Sequence, residues 1–84
     1  MVEFYATWCS HCKAMEPVVQ QIEEILADKC KVQQLDVDLN KEVCDSENIS
    51  GTPTFILYKD GREVWRQSGE MPGRELLEAV EQNF

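Results

Sequence analysis

Two cysteines three residues apart, Cys9 and Cys12, stand where an apolar run gives way to a helical pattern, and that junction constrains the fold more than any other feature of the chain. Before it, Val2-Glu3-Phe4-Tyr5 is a short apolar-rich segment. After it, from about Ser10 to Ala27, Met15, Val18, Val19, Ile22, Ile25 and Leu26 recur at three- and four-residue steps, which places them on one face of a helix. Glu16, Gln20, Gln21, Glu23 and Glu24 take the wet face, and Pro17 inside the pattern predicts a kink, because it removes a backbone donor and crowds the carbonyl four residues earlier. Residues three apart on a helix share a face, so the two sulfurs can meet and form a reversible disulfide. Cys9 meets the free N–H groups and positive dipole end of the helix, which favour a thiolate, the form that attacks disulfides. Cys12, deeper in the helix, suits a resolving role. The same spacing supplies half of many zinc sites, and two spectator thiols in a core would also satisfy it.

The rest of the chain alternates strand and helix signals. Lys31 to Val37 reads as a strand through Val32, Leu35 and Val37, Asp38-Leu39-Asn40 turns the chain, and Lys41 to about Glu47 is a short helix. Thr54-Phe55-Ile56-Leu57-Tyr58 is a near-continuous apolar strand. Asp60-Gly61 is the signal of a tight hairpin, with Arg62 to Gln67 returning as its partner. Ser68-Gly69 breaks that strand, Pro72 can occupy the first turn of a helix, and Leu76, Leu77, Val80 and Phe84 mark the buried stripe that follows. The order is strand, helix, strand, short helix, strand, strand, helix. A long helical connection makes the first two strands parallel and the hairpin makes the last two antiparallel, so an α/β fold with a mixed four-stranded sheet and flanking helices is expected.

With 84 residues there is apolar surface for one core, so a single domain over 1–84 is expected. An apolar fraction of 43% with 29% charged residues suits a folded chain rather than a disordered one. No run approaches the roughly 20 apolar residues that span a bilayer, and the first residues lack a signal-peptide pattern, which points to a cytoplasmic protein. The net charge of −8 is spread along the chain and disfavours nucleic acid and anionic membranes as partners, leaving soluble proteins. The four cysteines are unevenly spaced, Cys30 and Cys44 standing alone, which favours one working pair over a disulfide scaffold. Zinc would need two further ligands that no second C-x-x-C supplies, and no metal is expected.

The run Val2-Glu3-Phe4-Tyr5-Ala6-Thr7-Trp8-Cys9-Ser10-His11-Cys12-Lys13 resembles the thioredoxin family's V-D-F-[WY]-A-x-W-C-G-P-C-K. Pro17 falls where the family's active-site helix carries its proline. Asp36-Val37-Asp38, Gly51-Thr52-Pro53-Thr54, Lys59-Asp60-Gly61 and Gly69 continue the similarity across the chain. The resemblance implies a thioredoxin fold and a thiol–disulfide oxidoreductase, acting as a reductant on disulfide-containing protein substrates, with a separate reductase or oxidant and no cofactor. An isomerase-like oxidant and a non-catalytic binding module are the alternatives. It implies a cis bond before Pro53, a loop that offers the Thr52 backbone to an extended substrate, Gly69 closing the substrate groove, and a docking role for Trp8 beside Cys9.

Three departures are informative. The family's first strand and helix are absent before Val2, which leaves the 31–37 strand at a sheet edge and predicts a monomer or weak dimer. Glu3 replaces the family's buried Asp and Gln34 a common lysine partner. A buried Glu3 would have a raised pKa and could relay the Cys12 proton. Ser10-His11 replaces Gly-Pro, and the His next to the second cysteine is more similar to protein disulfide isomerases and periplasmic disulfide oxidases; His11 can donate a hydrogen bond or positive charge to the Cys9 thiolate. Cys44 reads as a packed thiol where the family has a small residue, and Trp65 as structural.

Overall fold

The computed structural model of the chain describes residues 1–83, so Phe84, expected on the last buried stripe, lies outside the described residues. The central strand β1 (Val2–Tyr5) is paired on both sides. On one side β2 (Gln33–Asp36) runs parallel to it with Phe4 opposite Leu35, and on the other β3 (Thr54–Lys59) runs antiparallel with Phe4 opposite Thr54. β4 (Arg62–Ser68) closes the mixed sheet antiparallel to β3, giving the order β2-β1-β3-β4. Between β3 and β4, Asp60 and Gly61 both take positive φ, 54° and 79°, as a two-residue turn matched to strand twist requires.

The apolar run of β3 follows from burial on both of its faces. Phe55 and Leu57 point into a cluster with Met15, Val19, Ile22 and Leu76, while Ile56 points the other way into a cluster with Phe4 and Cys44. The first cluster lies under α1 (Ser10–Ile25) and α3 (Gly73–Gln82), and the second faces α2 (Lys41–Ser46). Among the described residues ten buried side chains build the first cluster and three the second, so the α2 face is the thin one. Each fully buried aliphatic or aromatic side chain contributes about 1.5–3 kcal/mol, and the stability of the fold rests on the α1/α3 side.

Several sequence expectations shift at their edges. The second strand is Gln33–Asp36 rather than 31–37, although Gln33 N–H to Met1 O (2.9 Å) and Val37 N–H to Tyr5 O (2.9 Å) bracket it with the same parallel pattern. α1 ends at Ile25, and Leu26, its C-cap, is buried while Ile25 is 60% exposed. At 100° per residue, Ile25 sits roughly 100° from the centre of the face formed by Cys12, Met15, Val19, Ile22 and Leu26, so the spacing that admitted it was too generous. The helix runs unbroken through the exposed Pro17. Pro72 is the N-cap of α3 rather than a first-turn residue. The helix begins at Gly73, where a Cβ would meet Val18 Cγ1 at 2.9 Å, so α3 packs tightly on α1 at that point.

Candidate active site

β1 ends at Tyr5, and the turn after it is closed by Cys9 N–H to Ala6 O at 3.2 Å. That turn delivers Cys9 as the N-cap of α1, with extended φ −89° and ψ 117°. Its Sγ takes the place usually held by a Ser or Asp oxygen and accepts the Cys12 backbone N–H at 3.4 Å. The first turn of α1 carries no acidic residue, so nothing on the helix offsets its positive end at the sulfur. Hydrogen bonding from the Thr52 side chain, then from the Cys12 thiol and the Cys12 and His11 backbone amides, lowers the Cys9 thiol to about 7. Burial pushes the Cys12 thiol up. The two sulfurs are thus driven in opposite directions.

The loop before β3 faces this pair. The Thr52–Pro53 bond is cis, as the resemblance implied, and in its protonated form Cys9 donates weakly to the Thr52 carbonyl at 3.5 Å. Two bonds hold the loop: Gly69 N–H to Pro53 O at 2.8 Å, and Thr54 Oγ1 to Gly51 O at 2.6 Å. Gly69 has φ +98°, which a side chain would oppose, so the residue facing the loop is glycine for a backbone reason. Beside the pair, Trp8 is 68% exposed, with its indole Nε1–H donating to Asp38 Oδ2 at 2.9 Å. A recess of about 180 Å³ next to it is lined by Trp8, Val37, Cys44, Ile49 and Thr52.

Behind the pair, Glu3 is 1% exposed and accepts a hydrogen bond from Gln34 Nε2 at 2.8 Å. Burial raises its pKa, the Gln34 bond opposes the rise, and Glu16 adds to it. A cavity of about 210 Å³ is lined by Glu3, Cys12, Lys13, Glu16 and Gln34, so the carboxyl and the second cysteine open onto one space.

The structure therefore gathers Cys9, Cys12, Trp8, Thr52, Pro53 and Gly69 at one end of the sheet, with Glu3 behind them. His11 has a partner that the sequence did not name: its Nδ1 lies 2.9 Å from Glu70 Oε1, and both the Glu70 carboxylate and, more weakly, the Cys9 charge favour the protonated imidazole. Glu70, Asp38 and Glu16 were missed by sequence reasoning. Glu70 sits 59 positions from His11, and no spacing rule connects them. All four cysteines are free. Cys30 packs toward the α1/α3 cluster and Cys44 into the α2 cluster on the other sheet face, so the two are not partners. Among the described residues no group of three or more His, Cys, Asp or Glu is arranged to hold a metal, and no helix is long and apolar enough to cross a membrane.

A mixed sheet with a dithiol capping the helix after its central strand, opposed by a cis-proline loop, defines a dithiol protein of the α/β class. The thioredoxin family model matches residues 1–82. Thioredoxin from Alicyclobacillus acidocaldarius is 43% identical over 79 residues, covering 94% of this chain and 74% of that protein. The chloroplastic thioredoxin Y of Oryza sativa is 36% identical over 81 residues, covering 96% of this chain and 48% of that protein. The X-ray structure of Fasciola hepatica thioredoxin superposes with a TM-score of 0.91 at 31% identity, over 99% of this chain and 78% of that one. The chain belongs to the thioredoxin family. It spans about half the length of the chloroplastic relatives it matches.

Proposed function

We propose that this chain is a thiol–disulfide oxidoreductase that reduces disulfides of protein substrates through Cys9 and Cys12. The observation that carries the reading is the Cys9 sulfur capping α1, with its thiol lowered to about 7 while burial raises that of Cys12. The Cys9 thiolate attacks one sulfur of a substrate disulfide, forming a mixed disulfide and expelling the other substrate sulfur as a thiolate. Cys12 then gives up its proton and attacks Cys9 Sγ. The Cys9–Cys12 bond forms, the substrate leaves as a dithiol, and two electrons have passed to it. A separate reductase returns two electrons to the pair; with an oxidant instead, the cycle runs backward. No metal or organic cofactor enters any step.

The surrounding residues have matching parts in this reading. Glu3 takes the Cys12 proton across their shared cavity, where its raised pKa brings a carboxyl closer to the thiol's range. The Thr52 backbone offers an extended substrate strand-like pairing, with Trp8 and Gly69 bounding the groove. A structural neighbour, solved to describe thiol resolution of yeast mitochondrial 1-Cys peroxiredoxin via glutathione and thioredoxin systems, aligns with a TM-score of 0.89 and supports disulfide-bearing proteins as the substrate class. A reductant of this kind works in a reducing compartment such as the cytoplasm, as a monomer or weak dimer. Insulin reduction driven by dithiothreitol tests the reading: the chain accelerates precipitation of the insulin B chain, and a folded but inert chain supports a binding module instead.

A further inference from the structure

We propose that Glu70 is a positioning residue for the exchange reaction: it binds the His11 imidazole through Nδ1 at 2.9 Å and so holds the only basic side chain inside the Cys9–Cys12 motif on the β4–α3 loop rather than on the Cys9 sulfur. This rests on the oxidoreductase reading above. Both ends of the pair stand on fixed backbone. His11 lies in the first turn of α1, and Glu70 lies between Gly69, tied to Pro53 O at 2.8 Å, and Met71, buried in the core cluster that contains Met15. Ordering this exposed pair therefore involves only two side chains, which favours its persistence over that of most surface ion pairs.

The consequence for the chemistry is a matter of which anion the imidazole serves. Nδ1, engaged by the carboxylate, is not available to the thiolate, and although Nε2 stays free the carboxylate offsets the imidazolium charge that acts on Cys9. The reduced form thereby loses stabilisation that the motif alone would give it, and the pair stays a stronger reductant than Ser10-His11 implies. The Glu70 carboxylate also keeps His11 charged to higher pH, since its bond raises the imidazole pKa.

The test is the equilibrium of the protein disulfide plus two glutathiones with the protein dithiol plus glutathione disulfide, measured on the full chain at pH 6.0. There an imidazole of ordinary pKa, about 6.5, is mostly protonated with or without Glu70, so the substitution changes mainly what that charge faces. Cys9, with its thiol at about 7, is about one-tenth thiolate at pH 6.0, so Glu70→Ala is expected to shift the equilibrium up to about twofold toward the dithiol, roughly 9 mV toward a more oxidising potential. Glu70→Gln, which keeps an acceptor, shifts it less in the same direction. In a His11→Ala background the Glu70→Ala shift disappears. An equal shift in both backgrounds, or none in either, overturns the positioning role. So does an imidazole titration, followed by NMR, whose midpoint does not fall in Glu70→Ala. A wild-type chain that forms no Cys9–Cys12 disulfide at any glutathione ratio overturns both readings, an outcome distinct from an active pair whose potential ignores Glu70.

Discussion

The Cys12 backbone N–H points at the Cys9 sulfur from 3.4 Å, so the second cysteine of the motif helps activate the same sulfur that its own thiol later attacks in the mixed disulfide. The bond is an N-cap in geometry. It also ties the reactivity of Cys9 to the integrity of the first turn of α1.

From this relationship follows a pH profile. With its thiol lowered to about 7, Cys9 reacts with iodoacetamide at a rate that rises through pH 7 and levels off above about 8. Cys12, with its thiol raised by burial, stays unreactive over that range. Mass-spectrometric counting of alkylated cysteines from pH 5 to 9 checks this, and a Cys9 midpoint at the ordinary 8.5 or so contradicts it.

Glu3 makes stability fall as pH rises. A carboxyl whose folded pKa lies above its unfolded value stabilises the fold fully below the unfolded value and loses that contribution as pH rises through the folded one. Urea unfolding is therefore expected to show Glu3→Gln gaining on wild type between pH 4.5 and pH 8, since Gln can still accept from Gln34 without carrying a charge. The same variant is expected to slow resolution of a mixed disulfide about tenfold or more. Equal stability changes at both pH values would remove the raised pKa from the account.

Gly69 and Gly51 form a natural contrast. An added Cβ meets nothing within 4 Å at either position, yet only Gly69 has positive φ, +98°. Gly69→Ala is expected to cost about 1–2 kcal/mol from backbone strain alone, lowering Tm by roughly 5–10 °C in a chain of this size. Gly51→Ala is expected to stay within about 0.5 kcal/mol. Differential scanning calorimetry on the two variants separates backbone strain from crowding.

The hairpin and the site were legible in the sequence because each rests on local chemistry. Asp60-Gly61 forces a turn by backbone preference, and Cys9 caps a helix that its neighbours begin. What stayed hidden depends on tertiary placement. The exposure of Ile25 turns on where the centre of the α1 face points, a matter of roughly 100° that three- and four-residue counting does not resolve. The Glu70 partnership with His11 turns on how the β4–α3 loop returns over α1, which no local pattern encodes.

β2 is one of the two edge strands among the described residues, β4 being the other, and its pairing predicts alternating exchange. Gln33 and Val37 donate to β1 and its flank, so the period of two turns the Gln34 and Asp36 amides outward. Those two amides are expected to exchange fast while Phe55 to Leu57 in β3 are protected to the global limit. Protection of Gln34 and Asp36 that grows with protein concentration would show the edge pairing with a second copy instead.

The roles of the two cysteines are the centre of the account, and trapping separates them most directly. Cys12→Ser chain, mixed with an oxidised protein substrate and quenched with acid, is analysed by mass spectrometry for a covalent adduct through Cys9. The account predicts a stable mixed disulfide with Cys12→Ser and none with Cys9→Ser, because attack needs the capped, lowered thiol and release needs the buried one. An adduct formed by Cys9→Ser but not by Cys12→Ser would reverse the assignment and contradict the account.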